Sequence, residues 1–159
     1  MNKIKKILAP TDLSDLSRTS VRHALEMAHS LGAEVIVYHV ISYEEVNLPH
    51  EGFYTESLAK WLPQERKKLL SEFLRENFTD MIAKVEIKQE VEVGVPYQRI
   101  VEKAAEEGVD LVVMSTHGRT GLIHMLIGSV TEKVVQRATC PVLSIRPVKA
   151  PKLAEAVAG

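Results

Sequence analysis

The sequence predicts an α/β protein with a doubly wound, Rossmann-like sheet of five parallel strands in the order 3-2-1-4-5. Short, continuously apolar segments alternate with segments whose apolar residues recur at helical spacing, which is typical of repeated strand–helix–strand units. Most of the apolar segments lack polar alternation, as expected for strands that helices cover on both faces. The length of 159 residues suits one domain with a single core.

The first strand–helix–strand unit covers the N-terminal quarter of the chain. Residues 7–9 form an apolar run that Pro10 ends, and residues 35–40 form a second run rich in β-branched side chains. Between them, apolar residues at helical spacing over 21–31 predict a helix, and Gly32 supplies its stop signal. A helix of this length between two strands implies parallel pairing.

The middle of the chain is less regular. Residues 42–64 hold much of the aromatic and proline content, and two interpretations remain open: a lid over a site or a cover for the core. A helix follows, with its apolar face over 69–74. Residues 85–93 then alternate apolar and polar side chains, which predicts an edge strand with one dry and one wet face. Pro96 marks the start of the next helix and Gly108 its end.

The C-terminal part supplies the last two strands, at 111–114 and 141–145. The helix between them begins at 129–132, which reads as a capping box. We expect a single domain over residues 1–147 and a flexible tail over 148–159, where prolines and small residues replace the apolar pattern.

Composition argues against several classes of protein. The formal net charge of −1 offers no overall field for nucleic acid, and no apolar run is long enough to cross a membrane. Asp12 and Asp15 follow the basic N-terminus too soon for a signal peptide. The single cysteine, Cys140, rules out a disulfide within the chain and is expected to be a small buried side chain. These features predict a cytoplasmic protein without nucleic-acid or membrane partners.

The expected ligand site lies where the strand order reverses, beyond the carboxyl ends of the first and fourth strands. The loops that leave these strands span residues 10–14 and 115–129. They are also the two most unusual polar loops in the chain. The topology and the residue pattern therefore point to the same place.

The second of these loops suits phosphate groups. Gly118 allows close backbone approach and a positive φ, and Arg119 offers charge. Gly128 and Ser129 stand at the start of a helix, whose free N–H groups and positive dipole end attract anions. We expect the hydroxyls of Ser129 and Thr131 to add donors. Gly128-Ser129 has an alternative interpretation as an ordinary helix start.

Two residues from the first two strands complete the expected site. Asp12 is placed to accept hydrogen bonds from ribose hydroxyls, although an ordinary helix N-cap is an equal alternative. Val40 is placed to lie under an adenine ring, although a purely core role is the commoner one for valine.

Other chemistry finds little support in the sequence. There is no Walker A motif, no G-x-G-x-x-G after a strand and no nucleophile elbow. His117 and His124 have no carboxylate or cysteine at ligand spacing, so we expect no metal site. His23, His29 and His39 are expected at the surface or half-buried, without a chemical role.

Four segments of the chain form a recognisable set: ILAPTD at 7–12, MSTHGRTG at 114–121, GSVTEKV at 128–134 and CPVL at 140–143. In this order and at this spacing they resemble the universal stress protein family, and the resemblance extends from Lys5 to Arg146. It implies the adenine nucleotide alpha hydrolase-like variant of the predicted fold.

The resemblance also implies a nucleotide site. ATP-binding members carry G-x-x-G, nine residues, then G-[ST]; Gly118, Gly128 and Ser129 match, and Ser115 replaces the first glycine. By resemblance Asp12 contacts the ribose, Val40 the adenine, and Gly118, Gly128, Ser129 and Val130 the phosphates of ATP, with or without Mg²⁺. The full set of expected contact residues is Pro10, Thr11, Asp12, Val40, Met114, Ser115, His117, Gly118, Arg119, Gly128, Ser129, Val130 and Thr131.

The resemblance further implies a homodimer through the last strand, at Val142, Leu143 and Ile145, since a bare apolar edge strand invites pairing. The function expected is that of an ATP-binding stress-response module with at most slow ATP hydrolysis. One alternative is a dimeric scaffold that has lost nucleotide binding, which Ser115 favours. Another is an enzyme acting at an α-phosphate, for which only Asp12 and Asp15 are near.

Overall fold

The apolar runs of the sequence form the strands of one parallel sheet. The computed structural model describes residues 2–46, 55–118 and 126–147. Within them the strand order is β3-β2-β1-β4-β5 and every pairing is parallel, so the predicted order is confirmed. The strands are β1 (Lys6–Pro10), β2 (Glu34–Ile41), β3 (Ile87–Val93), β4 (Leu111–Ser115) and β5 (Val142–Ile145).

Helices cover both faces of this sheet. A 3₁₀ turn at Asp15–Ser17 precedes the first helix. No described helix combines the length and the apolar character needed to cross a membrane. The helices are α1 (Arg18–Leu31), α2 (Glu56–Asn77), the short α3 (Thr79–Ile82), α4 (Pro96–Glu106) and α5 (Ser129–Arg137).

Alternate residues of β1 feed two separate cores. Ile7 and Ala9 pack with α1 and α2 on one face, whereas Leu8 packs with α4 and α5 on the other. All three are fully buried, as the lack of polar alternation in this strand predicts. The tail at 148–159 and residues 47–54 lie outside the described residues.

Several element boundaries differ from the sequence-based expectation. Pro10 belongs to β1, where it stands opposite Tyr38. Residues 56–64, expected to be irregular, form the first turns of α2, with Pro63 inside the helix. The capping-box prediction was wrong, because Gly128 is the N-cap of α5 and Ser129 is its first helical residue. Gly32 ends α1 with φ +65°, as predicted.

The edge position of β3 is confirmed. Its polar side, which was expected to face solvent, instead carries ion pairs with α4. Lys103 of α4 is 6% exposed and places Nζ 2.7 Å from Glu90 Oε2 and 3.0 Å from Glu92 Oε1. Arg99 donates to Glu92 at 2.9 Å, and the Tyr38 hydroxyl donates to the same carboxylate. Burial, together with this bond to Glu92, raises the pKa of the Tyr38 hydroxyl. Helix α4 therefore covers the charged side of β3 with an ion-pair network.

Candidate functional site

The loops that leave β1 and β4 meet at the carboxyl end of the sheet. A Cβ atom on Gly118 would lie 2.5 Å from Oδ2 of Asp12, a distance that only a glycine permits. The two loops that the sequence selects therefore come together. The reason is the close approach rather than a special backbone conformation, because Gly118 is not among the described glycines with positive φ; that part of the expectation was wrong.

Asp12 lies in a turn that its own carboxylate organises. Oδ1 accepts hydrogen bonds from the backbone N–H of Ser14 at 3.0 Å and from the Ser14 hydroxyl at 2.5 Å. The residue between them, Leu13, has φ +65° and is the one non-glycine residue with positive φ in the described part of the chain. A left-handed leucine costs roughly 1–2 kcal/mol, so the surrounding bonds must hold this turn. Asp12 is not the N-cap of α1, which is Ser17.

Thr11 is fixed at each of its polar groups. Its N–H donates to the Tyr38 carbonyl at 2.9 Å, and its hydroxyl lies 2.7 Å from the Ser17 hydroxyl and accepts from the Leu13 N–H at 3.0 Å. Its carbonyl oxygen lies 2.8 Å from Nδ1 of His39. The sequence missed this histidine: His39 was expected to be surface or half-buried, but it is 1% exposed.

Ser115, which replaces the first glycine of the family motif, is the last residue of β4. Because it lies in an extended strand, its side chain imposes no left-handed backbone strain. The hydroxyl is directed toward the Leu16 carbonyl at 3.4 Å and lies 3.4 Å from the N–H of His117. Ser115 is 8% exposed, so the local structure accommodates its side chain.

The start of α5 is tied to the end of β4. The Gly128 N–H donates to the Thr116 carbonyl at 2.6 Å, and a Cβ on Gly128 would lie 3.0 Å from that oxygen. The buried hydroxyl of Thr131 donates to the Ser115 carbonyl at 2.7 Å. Thr131 therefore ties the helix to β4, and its hydroxyl hydrogen is used in this bond within the protein. Ser129 is exposed at the first helical position.

The apolar residues of the expected set lie at the boundary between the site and the core. Pro10 is buried at the end of β1, and Met114 is 5% exposed among the core residues under α4 and α5. Val40 and Val130 are partly buried and pack against that same core. Val40 therefore keeps both interpretations, a core residue and a partly buried apolar surface near the carboxyl end of β2.

Of the remaining expected residues, the structure describes His117, which directly precedes Gly118. His117 is 8% exposed, and its Nδ1 lies 2.9 Å from the Thr116 hydroxyl. Arg119 and His124 lie outside the described residues. Across 2–46, 55–118 and 126–147, no three histidine, cysteine or carboxylate side chains cluster closely enough to hold a metal ion.

Together these residues create a site with two chemical ends. The Asp12 carboxylate offers acceptor oxygens at one end. The first turn of α5 offers backbone N–H groups that no residue within the helix can bind, at the positive end of its dipole. Gly118 carries no side chain that would crowd the Asp12 carboxylate. Such an arrangement suits a ligand that carries both hydroxyl and anionic groups.

Comparison with known proteins places this geometry in a family. The sequence profile of the universal stress protein family matches residues 3–146. Universal stress protein MJ0531 of Methanocaldococcus jannaschii is 38% identical over 158 residues, covering 93% of this chain and 85% of that protein. MJ0577 of the same organism is 33% identical over 157 residues, covering 89% of this chain and 94% of that protein.

Solved structures agree with the sequence comparison. The structure of MJ0577 superposes with a TM-score of 0.76 at 34% identity, covering 94% of this chain and 100% of that one. A universal stress protein in complex with cAMP superposes with a TM-score of 0.68 at 25% identity, covering 92% and 100%. From its profile match, its relatives and its fold, the chain belongs to the universal stress protein family.

Proposed function

We propose that this protein binds an adenine nucleotide, with ATP as the principal ligand, between the loops that leave β1 and β4. The observation that carries the proposal is the approach of Gly118 to Asp12 directly beside the start of α5. A carboxylate and a helix N-terminus at the same edge of a parallel sheet suit the hydroxyl and phosphate ends of a nucleotide. The relative solved with cAMP supports an adenine nucleotide as the ligand class.

In this proposal Asp12 accepts from the ribose hydroxyls and Val40 packs against the adenine. The backbone N–H groups at Gly118, Gly128 and the first turn of α5 bind the phosphates, together with the exposed hydroxyl of Ser129. Arg119 and Mg²⁺ supply further charge neutralisation. The part that Thr131 plays is indirect, since its hydroxyl holds Ser115.

We propose a regulatory role, in the cytoplasm, rather than efficient catalysis. Phosphoryl transfer needs a group that positions or activates the attacking water, and metal ligands beside the phosphates. Asp12 directs Oδ1 to Ser14, and Asp15 is exposed and paired with Arg18. Neither carboxylate is therefore placed as a base for attack at an α-phosphate. We expect reversible binding, with slow ATP hydrolysis at most.

The homodimer is proposed to form through β5. This strand pairs with β4 on one side and is the last in the order of the described sheet. Its residues Val142, Leu143 and Ile145 are only partly buried. An apolar strand edge of this kind is completed by pairing with a second copy.

A second candidate is a dimeric scaffold that does not bind nucleotide. The argument for this alternative is that Ser115 replaces a glycine, so that its side chain would strain the backbone or crowd the ligand. In the extended strand the backbone cost disappears, and the hydroxyl is directed toward Leu16. This observation favours nucleotide binding over the scaffold.

Titration calorimetry and thermal unfolding with ATP, ADP, AMP and cAMP, each with and without Mg²⁺, test the proposal. We expect binding heat and a rise in Tm for the wild type, because a ligand that binds only the folded state stabilises it. Asp12→Ala should weaken binding about tenfold or more, the effect of losing hydrogen bonds to a charged acceptor. Asp15→Ala, at an exposed aspartate of the 3₁₀ turn that follows this loop, is the matched control and should bind normally. The absence of both binding heat and a Tm shift at millimolar nucleotide would contradict the proposal.

A further inference from the structure

A buried histidine joins the Asp12 loop to helix α2. His39 is 1% exposed, and its Nδ1 lies 2.8 Å from the Thr11 carbonyl oxygen. A carbonyl oxygen only accepts, so Nδ1 carries the hydrogen. Nε2 lies 3.3 Å from NH1 of Arg66, and a guanidinium only donates, so Nε2 is the acceptor. These contacts select the neutral imidazole with its hydrogen on Nδ1.

Arg66 is itself held in place. Its NH1 lies 3.0 Å from Glu45 Oε1, and the arginine side chain is 18% exposed. A continuous chain of polar contacts therefore runs from Glu45, which follows β2, through Arg66 on α2 and His39 to the Thr11 carbonyl. The chain brings together residues that lie far apart in sequence.

The end of this chain is the peptide unit that carries Asp12. The Thr11 carbonyl and the Asp12 N–H belong to one planar peptide group, so fixing the oxygen fixes the plane from which Asp12 projects. Leu13 follows in the left-handed conformation, which needs external support. The side-chain contacts of Thr11 hold the other edge of the same turn.

We propose that His39 is a positioning residue for the nucleotide site: it orients the Thr11–Asp12 peptide, and Arg66 keeps its imidazole in the tautomer that does so. The inference rests on the proposed nucleotide function for its effect on affinity. It adds that the contact between Arg66 of α2 and His39 of β2 contributes to nucleotide binding through the Thr11 carbonyl.

Two substitutions at His39 separate positioning from simple packing. Asn places an amide N–H near the position of Nδ1 and keeps the bond to Thr11, whereas Leu fills the space and removes it. We expect His39→Leu to raise the ATP Kd about tenfold, and His39→Asn to stay within about threefold of wild type. His29→Leu, at an exposed histidine of α1, is the control and should leave the Kd unchanged. A folded His39→Leu variant with wild-type affinity would overturn the proposal.

The second link is tested without altering the core. Arg66→Met should raise the Kd about threefold, since it removes the partner of Nε2 while keeping the aliphatic stem. Arg75→Met, an exposed arginine on the same helix, should have no effect. Long-range ¹H–¹⁵N spectra of the wild type should show hydrogen on Nδ1. Hydrogen on Nε2 instead would contradict the proposal.

A readout in the absence of nucleotide distinguishes failure of this inference from failure of the proposed function. The Ser14 N–H donates to Asp12 Oδ1, so its hydrogen exchange reports the position of Asp12 in the free protein. Exchange should be faster in His39→Leu and Arg66→Met than in wild type or His39→Asn. If the wild type binds no nucleotide, the proposed function fails. Independently of that result, an unchanged exchange rate of the Ser14 N–H in His39→Leu and Arg66→Met would refute the proposal that His39 positions Asp12. If His39→Leu does not fold, the Kd and Ser14 exchange rate of Arg66→Met and the imidazole tautomer of the wild type decide the question.

Discussion

Gly118 and Asp12 face each other across the site so closely that a single methyl group on Gly118 would lie 2.5 Å from Asp12 Oδ2. One residue follows β4 and the other follows β1, and these strands are neighbours in the parallel sheet. The contact ties the position of the carboxylate to the path of the second loop. A change at either residue should therefore be felt at the other.

Gly118→Ala tests this contact. The added methyl must displace the Asp12 carboxylate, which is the far end of a side chain and is bonded to Ser14 through its other oxygen, so we expect a loss of about 1 kcal/mol in the free energy of unfolding, at the low end of the cost of overpacking. In an Asp12→Ala background the obstacle is gone, and the same change should cost less than about 0.5 kcal/mol. Urea unfolding of the four proteins gives the coupling. Equal costs in both backgrounds would show that the two residues are independent.

Ser115→Gly tests the departure from the family motif. Because Ser115 lies in an extended strand, glycine should leave ATP affinity within about twofold of wild type. Stability should fall by about 0.5–1 kcal/mol, the entropic cost of glycine in a strand. Calorimetry and urea unfolding measure the two quantities. A large gain in ATP affinity would instead support the alternative in which the serine side chain obstructs the nucleotide.

Thr131→Val tests the attachment of α5. The substitution keeps the shape but leaves the buried Ser115 carbonyl without its donor, which typically costs about 1–3 kcal/mol. Thr139→Val, at an exposed threonine after the same helix, is the matched control and should be nearly neutral. Urea unfolding is the measurement. Equal effects of the two substitutions would argue against a special role for the Thr131 hydroxyl.

The ion-pair network on β3 predicts a pH dependence. Burial raises the pKa of Glu90 and Glu92, but their hydrogen bonds outweigh it, so both pKa values are lowered; Lys103 donates to both carboxylates. A lowered carboxylate pKa stabilises the fold above the unfolded value, near pH 4.3, and this stabilisation is lost as the pH falls through the folded pKa. Unfolding free energies measured from pH 7 down to about pH 3 should therefore decline steeply below about pH 4.5.

Lys103→Met should weaken that decline. At pH 7 it should cost about 2–3 kcal/mol, because two partly buried carboxylates lose a shared cation. Lys67→Met, at an exposed lysine of α2, should change neither stability nor its pH dependence. If Lys103→Met leaves the acid limb of the stability curve unchanged, the network does not govern it.

The fold was largely predictable because its signals are local. Continuous apolar runs identify central strands, Gly32 identifies the end of α1, and the rule for parallel sheets then locates the site. Gly118 was recognised as a point of close approach, although the reason is the proximity of Asp12 rather than a positive φ.

The features that the sequence did not reveal depend on contacts between distant segments. His39 was expected at the surface or half-buried, and only the fold shows that its two nitrogens contact the Thr11 carbonyl and Arg66. The alternating pattern of β3 predicts that its charged side is exposed, but in the structure Lys103 of α4 lies against that side and pairs with Glu90. Alternation predicts which side of a strand is polar, but not which helix will cover it.

Native mass spectrometry of the freshly purified protein, followed by identification of any small molecule that denaturation releases, tests nucleotide binding most directly. The sample is measured as purified and again after incubation with millimolar ATP and Mg²⁺. We expect an adenine nucleotide bound at up to one per subunit, and loss of that mass in Asp12→Ala. Protein that carries no nucleotide in either sample would contradict nucleotide binding between the β1 and β4 loops.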